Sequence, residues 1–413
     1  MNLKWVASLS LCAITSCQPS QDRDSAEPQD IKDIVNTFDY DLEFLQNHLD
    51  SLVLLKSDDG QAQLIIAPQY QGRVMSSTAE GEKGNSFGWI NYELIASGEE
   101  KKHINPYGGE DRFWMGPEGG QFAIFFKQGE DFNFENWQTP TALDTEPFAV
   151  QSQSQHTVTF SKAFMLENHS GSRFQLEVKR KISLLEKSDL EELLGLSQLD
   201  DKIASVGFSS ENTLINRGEH AWTKEKGLLS IWILGMFKPS PTTTIVIPYK
   251  EAQDSAKVVN DAYFGKVPED RLQIKNGIIY FKGDGKQRGK IGVPPQYARE
   301  VMGSYDAENK VLTIVKYTLP ENTPDYVNSM WELQDDPYRG DAANAYNDGP
   351  LEDGEQMAPF YELESSSPAA ALQAQDSIRH VHTTVHFTGE RETLDQISRE
   401  VFGVNIAQIT AVF

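Results

Sequence analysis

The stretch Phe174-Gln175-Leu176-Glu177-Val178-Lys179-Arg180-Lys181-Ile182-Ser183-Leu184-Leu185 decides how the rest of the chain is read. Successive side chains of a strand point to opposite faces, so Leu176, Val178, Ile182 and Leu184 share one face while Lys179 and Lys181 take the other. One apolar face and one wetted face is the pattern of an antiparallel sheet packed on one side. Working outward, short apolar runs broken by turn residues recur at Leu52–Lys56, Gln61–Ala67, Arg73–Ser76, Gln121–Lys127, Thr157–Phe164, Ala204–Ile215 and Leu228–Phe237. They continue at Thr243–Pro248, Ile278–Lys282, Val311–Thr318, Pro359–Leu363 and Val381–Phe387. Helical stripes are few. Ile31, Ile34, Val35, Phe38, Leu42, Leu45 and Leu49 give one or two short helices over 31–49, and two more are expected at Asp189–Leu199 and Glu392–Phe402. Many strands and few helices predict a mostly β protein, a large antiparallel β-sandwich occupying 31–413. No internal repeat and no tether-like linker divides this region, although its length leaves two sandwiches open.

Composition narrows the partners. With 37 basic and 61 acidic residues the formal charge is 37 − 61 = −24. Nucleic-acid phosphates need a basic footprint, so no nucleic acid is expected, and anionic lipid is disfavoured for the same reason. Two cysteines cannot build a disulfide scaffold. No P-loop, G-x-S-x-G elbow, HExxH pair or dinucleotide fingerprint occurs, so no cofactor is expected.

Met1 to Lys4 is a short positive segment, and Trp5 to Ile14 a short apolar one. A spanning helix needs ~20 apolar residues, so this is the pattern of a signal peptide. It ends in Ile14-Thr15-Ser16-Cys17. The alternatives are an ordinary signal peptide with an incidental Cys, and a lipoprotein signal over 1–16 with Cys17 lipidated. The second makes 17–30, polar with two Pro, a flexible tether, and places the protein outside the cytoplasm with membrane contact through the lipid anchor only.

Three segments are denser in polar and aromatic residues than strands or turns require. Tyr107 to Gln121 carries paired glycines, Arg112, Trp114 and Glu118. An indole covers the apolar face of a sugar while charged groups bind its hydroxyls, so this loop reads as a sugar-binding surface or as a long connection with a buried Arg–Glu pair. Asn328 to Pro350 offers Trp331, Asp335, Asp336, Asp341, Tyr346 and Asp348. Its oxygens are a solvated loop, a Ca²⁺ site that matches no EF-hand spacing, or, with its aromatics, the wall of a sugar site. In Phe360 to Ala369, Glu362 and Glu364 fall on one strand face, where mutual repulsion raises the pKa of at least one and suits it to acid–base work. His380, His382 and His386 share a strand face too, as a polar sheet face or a metal pair; no metal is assigned. His220, in Asn216-Arg217-Gly218-Glu219-His220-Ala221-Trp222, ends a strand.

At Leu363-Glu364-Ser365-Ser366-Ser367-Pro368 the chain resembles the galactose mutarotase-like, or aldose 1-epimerase, superfamily, in which a strand ending in Leu-Glu-Thr-Gln carries the catalytic base. Asn212, Leu214 and Asn216 before His220 and Trp222 resemble its strand–Asn–His–aromatic stretch, and Ala67 to Val74 its N-terminal strand and Gly turn. Gly108 to Trp114 with Asn344 to Pro350 resembles a family of bacterial lipoproteins, many from Bacteroidetes, placed near that superfamily. The resemblance implies a β-supersandwich with a cleft on one sheet face and a carbohydrate ligand. It implies Glu364 as base, His220 as acid and Arg112 as hydroxyl clamp; Trp114, Glu118, Trp331, Asp335 and Tyr346 are expected, from the make-up of their loops, to bind substrate. The activity implied is sugar epimerisation by acid–base chemistry. The alternatives are a carbohydrate-binding lipoprotein without catalysis, and a polysaccharide lyase or glycoside hydrolase on the same fold. The sugar and the oligomeric state are not readable from the sequence.

Overall fold

The computed structural model describes residues 36–413 except 201, 253, 255, 256, 352, 353 and 355. The expected signal segment, lipidated Cys17, tether and first helical residues lie outside the described residues.

Phe174 to Leu185 does form a strand, β7 (Arg173–Leu185), whose burial alternates as read from the sequence. It sits in a ten-stranded, wholly antiparallel sheet with β5 (Ala149–Gln153), β6 (Thr157–Glu167), β8 (Ala204–Asn216), β10 (Thr243–Pro248), β11 (Leu272–Lys275), β12 (Ile278–Lys282), β14 (Val301–Asp306), β15 (Val311–Tyr317) and β18 (Ser377–Thr388). The order across it is β11-β12-β10-β14-β15-β18-β8-β7-β6-β5. A five-stranded sheet stacks on it in the order β13 (Gly289–Val293), β16 (Ala343–Asn347), β17 (Tyr361–Ser366), β9 (Ser230–Phe237), β4 (Arg112–Gly116). A third sheet holds β1 (Val53–Lys56), β2 (Gln63–Ala67) and β3 (Arg73–Thr78). This is the mostly β, antiparallel sandwich that the strand count predicts.

The core lies between the sheets. Val178, Ile182, Phe208 and Leu214 of the large sheet pack with Phe113, Ile231 and Ile233 of the five-stranded sheet and with Leu64 and Val74 of the third. A second cluster joins Ile245 and Phe281 to Ile291, Ala345 and Leu363. The other face of the large sheet is covered by α3 (Lys187–Leu194), α4 (Arg391–Phe402) and α5 (Ile406–Thr410), through Leu190, Leu394, Ile397, Phe402 and Ile406 on Val246, Leu312 and Val385. On the third sheet lie α1 (Phe38–His48) and α2 (Tyr92–Ser97).

Some sequence expectations are corrected. Gln121–Lys127 is turns rather than a strand, because its apolar residues Ala123, Ile124, Phe125 and Phe126 are all buried from an irregular segment. Conversely, two segments read as loops contain strands: Arg112–Gly116 and Ala343–Asn347 are strands with every residue buried. Arg112 and Tyr346 face a cleft while Asn344 and Asn347 are buried on hydrogen-bond partners, so these strands lack the apolar alternation that marks a half-exposed strand.

Candidate active site

The five-stranded sheet turns one face to the large sheet and the other to a cleft. Cross-strand register assigns the cleft face. Arg112 stands opposite Leu234 and Leu234 opposite Glu364; Met236 stands opposite Glu362, Glu362 opposite Tyr346 and Tyr346 opposite Lys290. Adding residues two apart on each strand places Trp114 and Trp232 on the same face. The side chains between them, Phe113, Ile233, Leu363 and Ala345, go to the core.

The polar groups pair across the strands. Arg112 Nη2 donates to Glu362 Oε1 at 3.0 Å, and the guanidinium lies 4.1 Å from the centroid of the Trp114 ring. Lys290 Nζ donates to Glu364 Oε2 at 3.0 Å, with its ammonium 4.6 Å from the Trp232 centroid. Trp232 Nε1 donates to the same carboxylate oxygen at 2.9 Å. On the loop after β4, Glu118 accepts from Trp331 Nε1 at 3.1 Å. Trp331, Trp137 and Phe125 form a stack, with Trp137 centred 5.8 Å from each neighbour.

The hollow over this face has a volume of about 660 Å³. Glu118, Arg288, Lys290 and Trp331 belong both to it and to the deeper recess that reaches Arg112, Trp114, Trp232, Tyr346 and Glu362. Phe134, 61% exposed, and Phe264, 46% exposed, stand at its rim with Leu351 and Met357. These four are half of the large apolar side chains left exposed among the described residues. Their convergence on one polar hollow is the signature of a ligand site.

Electrostatics separates the carboxylates. Burial raises the pKa of Glu362 to about 7; Arg112 opposes the rise and Glu364 adds to it. Burial also raises Glu118, opposed mainly by Lys290 and the Trp331 hydrogen bond. Like charges brought together and removed from water give up one proton at a time, and that keeps a group near neutrality titratable.

The sequence-predicted residues divide accordingly. Arg112, Trp114, Glu118, Trp331 and Tyr346 line the cleft. Glu364 shares their face but is fully enclosed beneath Trp232 and Lys290 and does not line the hollow; its Oε1 has no hydrogen-bond partner among the described residues. The carboxylate that reaches the recess is Glu362, two residues earlier. His220 is exposed, on the loop after β8, and borders a different hollow with Arg173, Phe174 and Trp222. Its carbonyl accepts from Asn216 Nδ2 at 2.8 Å, so that Asn holds a turn. Asp335 is exposed and lines neither part of the cleft.

Neither of the metal alternatives gathers a ligand set. Asp348 accepts from Tyr346 Oη at 2.6 Å and Asp341 from Tyr263 Oη at 2.6 Å, while Asp335 and Asp336 face solvent. His380 and His382 both meet Ser365 Oγ at 2.8 Å inside the sandwich, where burial pushes each ring down to about 3. His386 Nε2 meets Glu110 Oε2 at 2.8 Å.

Sequence reasoning missed Lys290, Arg288 and Trp232. The strand 228–237 is legible, and its alternation Trp232, Leu234, Met236 marks a second face. Nothing local marks Gly289–Val293 as a strand, because its small and polar residues fit a turn equally well.

Solved structures similar to this chain include the Slr1438 protein from Synechocystis sp. PCC 6803, at 13% identity and a TM-score of 0.49 over 82% of this chain and 96% of that one. A galactose mutarotase-like protein from Lactobacillus casei aligns at 10% identity and a TM-score of 0.47, over 82% and 100%. A galactose mutarotase related enzyme from Lactobacillus acidophilus aligns at 9% and 0.42, over 82% and 98%. Among curated proteins none matches in sequence. A family model covers residues 36–413, nearly all of the sandwich with its cleft, and the chain therefore belongs to DUF6786, a family of unknown function.

Proposed function

We propose that the cleft binds a carbohydrate and acts on it by acid–base chemistry, with sugar epimerisation at the anomeric carbon as the specific reaction. The observation that carries this reading is the presence of two carboxylates with raised pKa, Glu362 and Glu118, in one recess walled by Trp114, Trp232 and Trp331. Anomer exchange needs a base to take the anomeric hydroxyl proton and an acid to protonate the ring oxygen. Glu362, whose charge Arg112 favours, is the base. Glu118 is the acid. Glu364 is a positioning residue that holds Lys290 and Trp232 in place. The Leu363-Glu364-Ser365-Ser366-Ser367-Pro368 resemblance supports the same class of substrate.

The test is anomer exchange followed by NMR on a panel of aldoses, together with calorimetric binding. Glu362→Gln should cut exchange about 10²–10⁴-fold while binding persists. With Glu362 as base, the rate should rise with pH through about 7. If Glu362→Gln exchanges anomers at the normal rate, the assignment of the base fails. Binding without any turnover in the native chain favours a non-catalytic carbohydrate-binding protein, which the aromatic walls would equally serve. Hydrolysis or elimination would use the same two groups and would appear as released product when polysaccharides replace the aldoses in the NMR assay.

We further propose that the protein is exported and anchored by lipid on Cys17, as Met1 to Cys17 reads. Labelled palmitate should enter the native chain and be absent from Cys17→Ala.

A further inference from the structure

The cations around the cleft are not equally committed. Lys290 is paired with Glu364 and Arg112 with Glu362. Arg288 has no ion pair and no side-chain hydrogen bond among the described residues, and its Nε is buried without a partner. It is held all the same: its guanidinium carbon lies 3.9 Å from the centroid of Phe264 at the rim. The backbone at Arg288 is pinned as well. A Cβ on Gly349 would come within 2.4 Å of the Arg288 nitrogen, so only glycine lets the two segments pass this closely.

Lys101 and Lys102 line the same hollow and also lack an ion pair among the described residues. Their backbone is fastened. Lys101 N donates to Asn105 Oδ1 at 2.7 Å, Asn105 Nδ2 donates to Asp144 at 2.7 Å, and Gln138 Nε2 donates to the Lys102 carbonyl. Among the described residues, the carboxylates that line the hollow and its recess are already engaged. Glu118 takes the Trp331 indole, Glu362 takes Arg112, and Asp348 takes Tyr346 Oη at 2.6 Å and Ala358 N at 3.1 Å. In a chain with 61 acidic and 37 basic residues, three cations without an ion pair among the described residues line one hollow, against the overall balance of charge.

Resting on the reading of the cleft as a sugar site, we infer that its substrate carries an anionic substituent, a carboxylate or an ester oxyanion, received by Arg288 with Lys101 and Lys102. A guanidinium presents a planar fork of donors that matches such a group in two hydrogen bonds, and Arg288 has that fork unspent. The sugar ring then lies over Trp331 and Phe134, with its reacting end toward Glu362.

The experiment is calorimetric titration of the full chain with matched sugars. D-galactose, D-galacturonate, D-galactose 6-sulfate and D-galactose 6-phosphate form one set, with the glucose and mannose counterparts beside them. At least one acidic sugar should bind ten times more tightly than its neutral parent, and 0.5 M NaCl should shrink that advantage. Preference for the uronate or for an ester tells which oxyanion is meant. Arg288→Gln should reduce the acidic-to-neutral ratio at least tenfold, Arg288→Lys should restore part of it, and K101Q/K102Q should reduce it a few-fold. Far-UV circular dichroism and melting confirm that each variant is folded. Equal binding of acidic and neutral sugars, or a ratio that Arg288→Gln leaves unmoved in a folded protein, overturns this inference and leaves the sugar site standing. Binding of no sugar in any set overturns the sugar site itself.

Discussion

The two faces of the five-stranded sheet both hold charge, and they hold it differently. Asp111 and Arg112 are neighbours in sequence, yet one serves each face. Asp111 turns to the large sheet, where Arg180 pairs with it and Ser210 Oγ donates to it at 2.6 Å, all three fully or almost fully buried. Arg112 turns to the cleft and takes Glu362. The same split runs along β17, where Ser365 meets His380 and His382 in the core while Glu362 and Glu364 look the other way. On the core face the charges and rings are sealed against partners from another sheet. On the cleft face, Glu362 titrates near neutrality and Arg288 keeps its donors. A buried charge therefore does not by itself mark a site; a hollow beside it with donors left over does.

Breaking the sealed face should have the largest effect on stability. Asp111→Ala leaves the Arg180 guanidinium buried and unpaired, with an expected loss of about 3–5 kcal/mol. Urea unfolding measures it, and a loss below about 1 kcal/mol would show that the pair is not structural. Next is the acid response of that face. His380 and His382 are held neutral, with folded values near 3 against about 6.5 when unfolded. Their contribution is complete above about pH 6.5 and is lost as pH falls from there toward 3, because only the unfolded chain takes up the protons. That is about 2 kcal/mol per ring between pH 7 and 5. The double variant H380N/H382N should therefore show a flatter loss of stability over that range than the native chain.

On the open face the expected effect is on titration. Arg112→Met removes the charge that holds Glu362 down, so the midpoint of the pH–rate profile should move above 7 by about one unit or more. An unmoved midpoint would mean that another group governs it. The smallest effect belongs outside both faces: His220→Ala, on its exposed loop, should change stability by no more than about 0.5 kcal/mol and leave sugar binding as it was.

How much of this was legible follows from the same contrast. Alternation in β7 revealed the sheet because one face is apolar and the other wet. Arg180, however, sits on the apolar face among Val178 and Ile182, and only the distant Asp111 explains it. Local pattern also located Arg112, Trp114, Glu118 and Tyr346, since aromatic and charged residues packed this densely exceed what turns require. It left Glu362 and Glu364 equivalent, and the resemblance chose Glu364; only the neighbouring strands tell them apart, bringing Lys290 over Glu364 and Arg112 over Glu362. The resemblance alone gave His220 the role of acid. Asn216, the residue that lent weight to that stretch, spends its amide on backbone carbonyls of 220, 372 and 373.

The adjacency of Asp111 and Arg112 has a mechanical consequence. One strand is bolted to the scaffold by the first residue and presents the second to the recess, so folding has already met the entropic cost of aiming that guanidinium. An incoming molecule would find its receptor set like type in a frame, and amide exchange along 111–116 should be slow whether or not anything is bound.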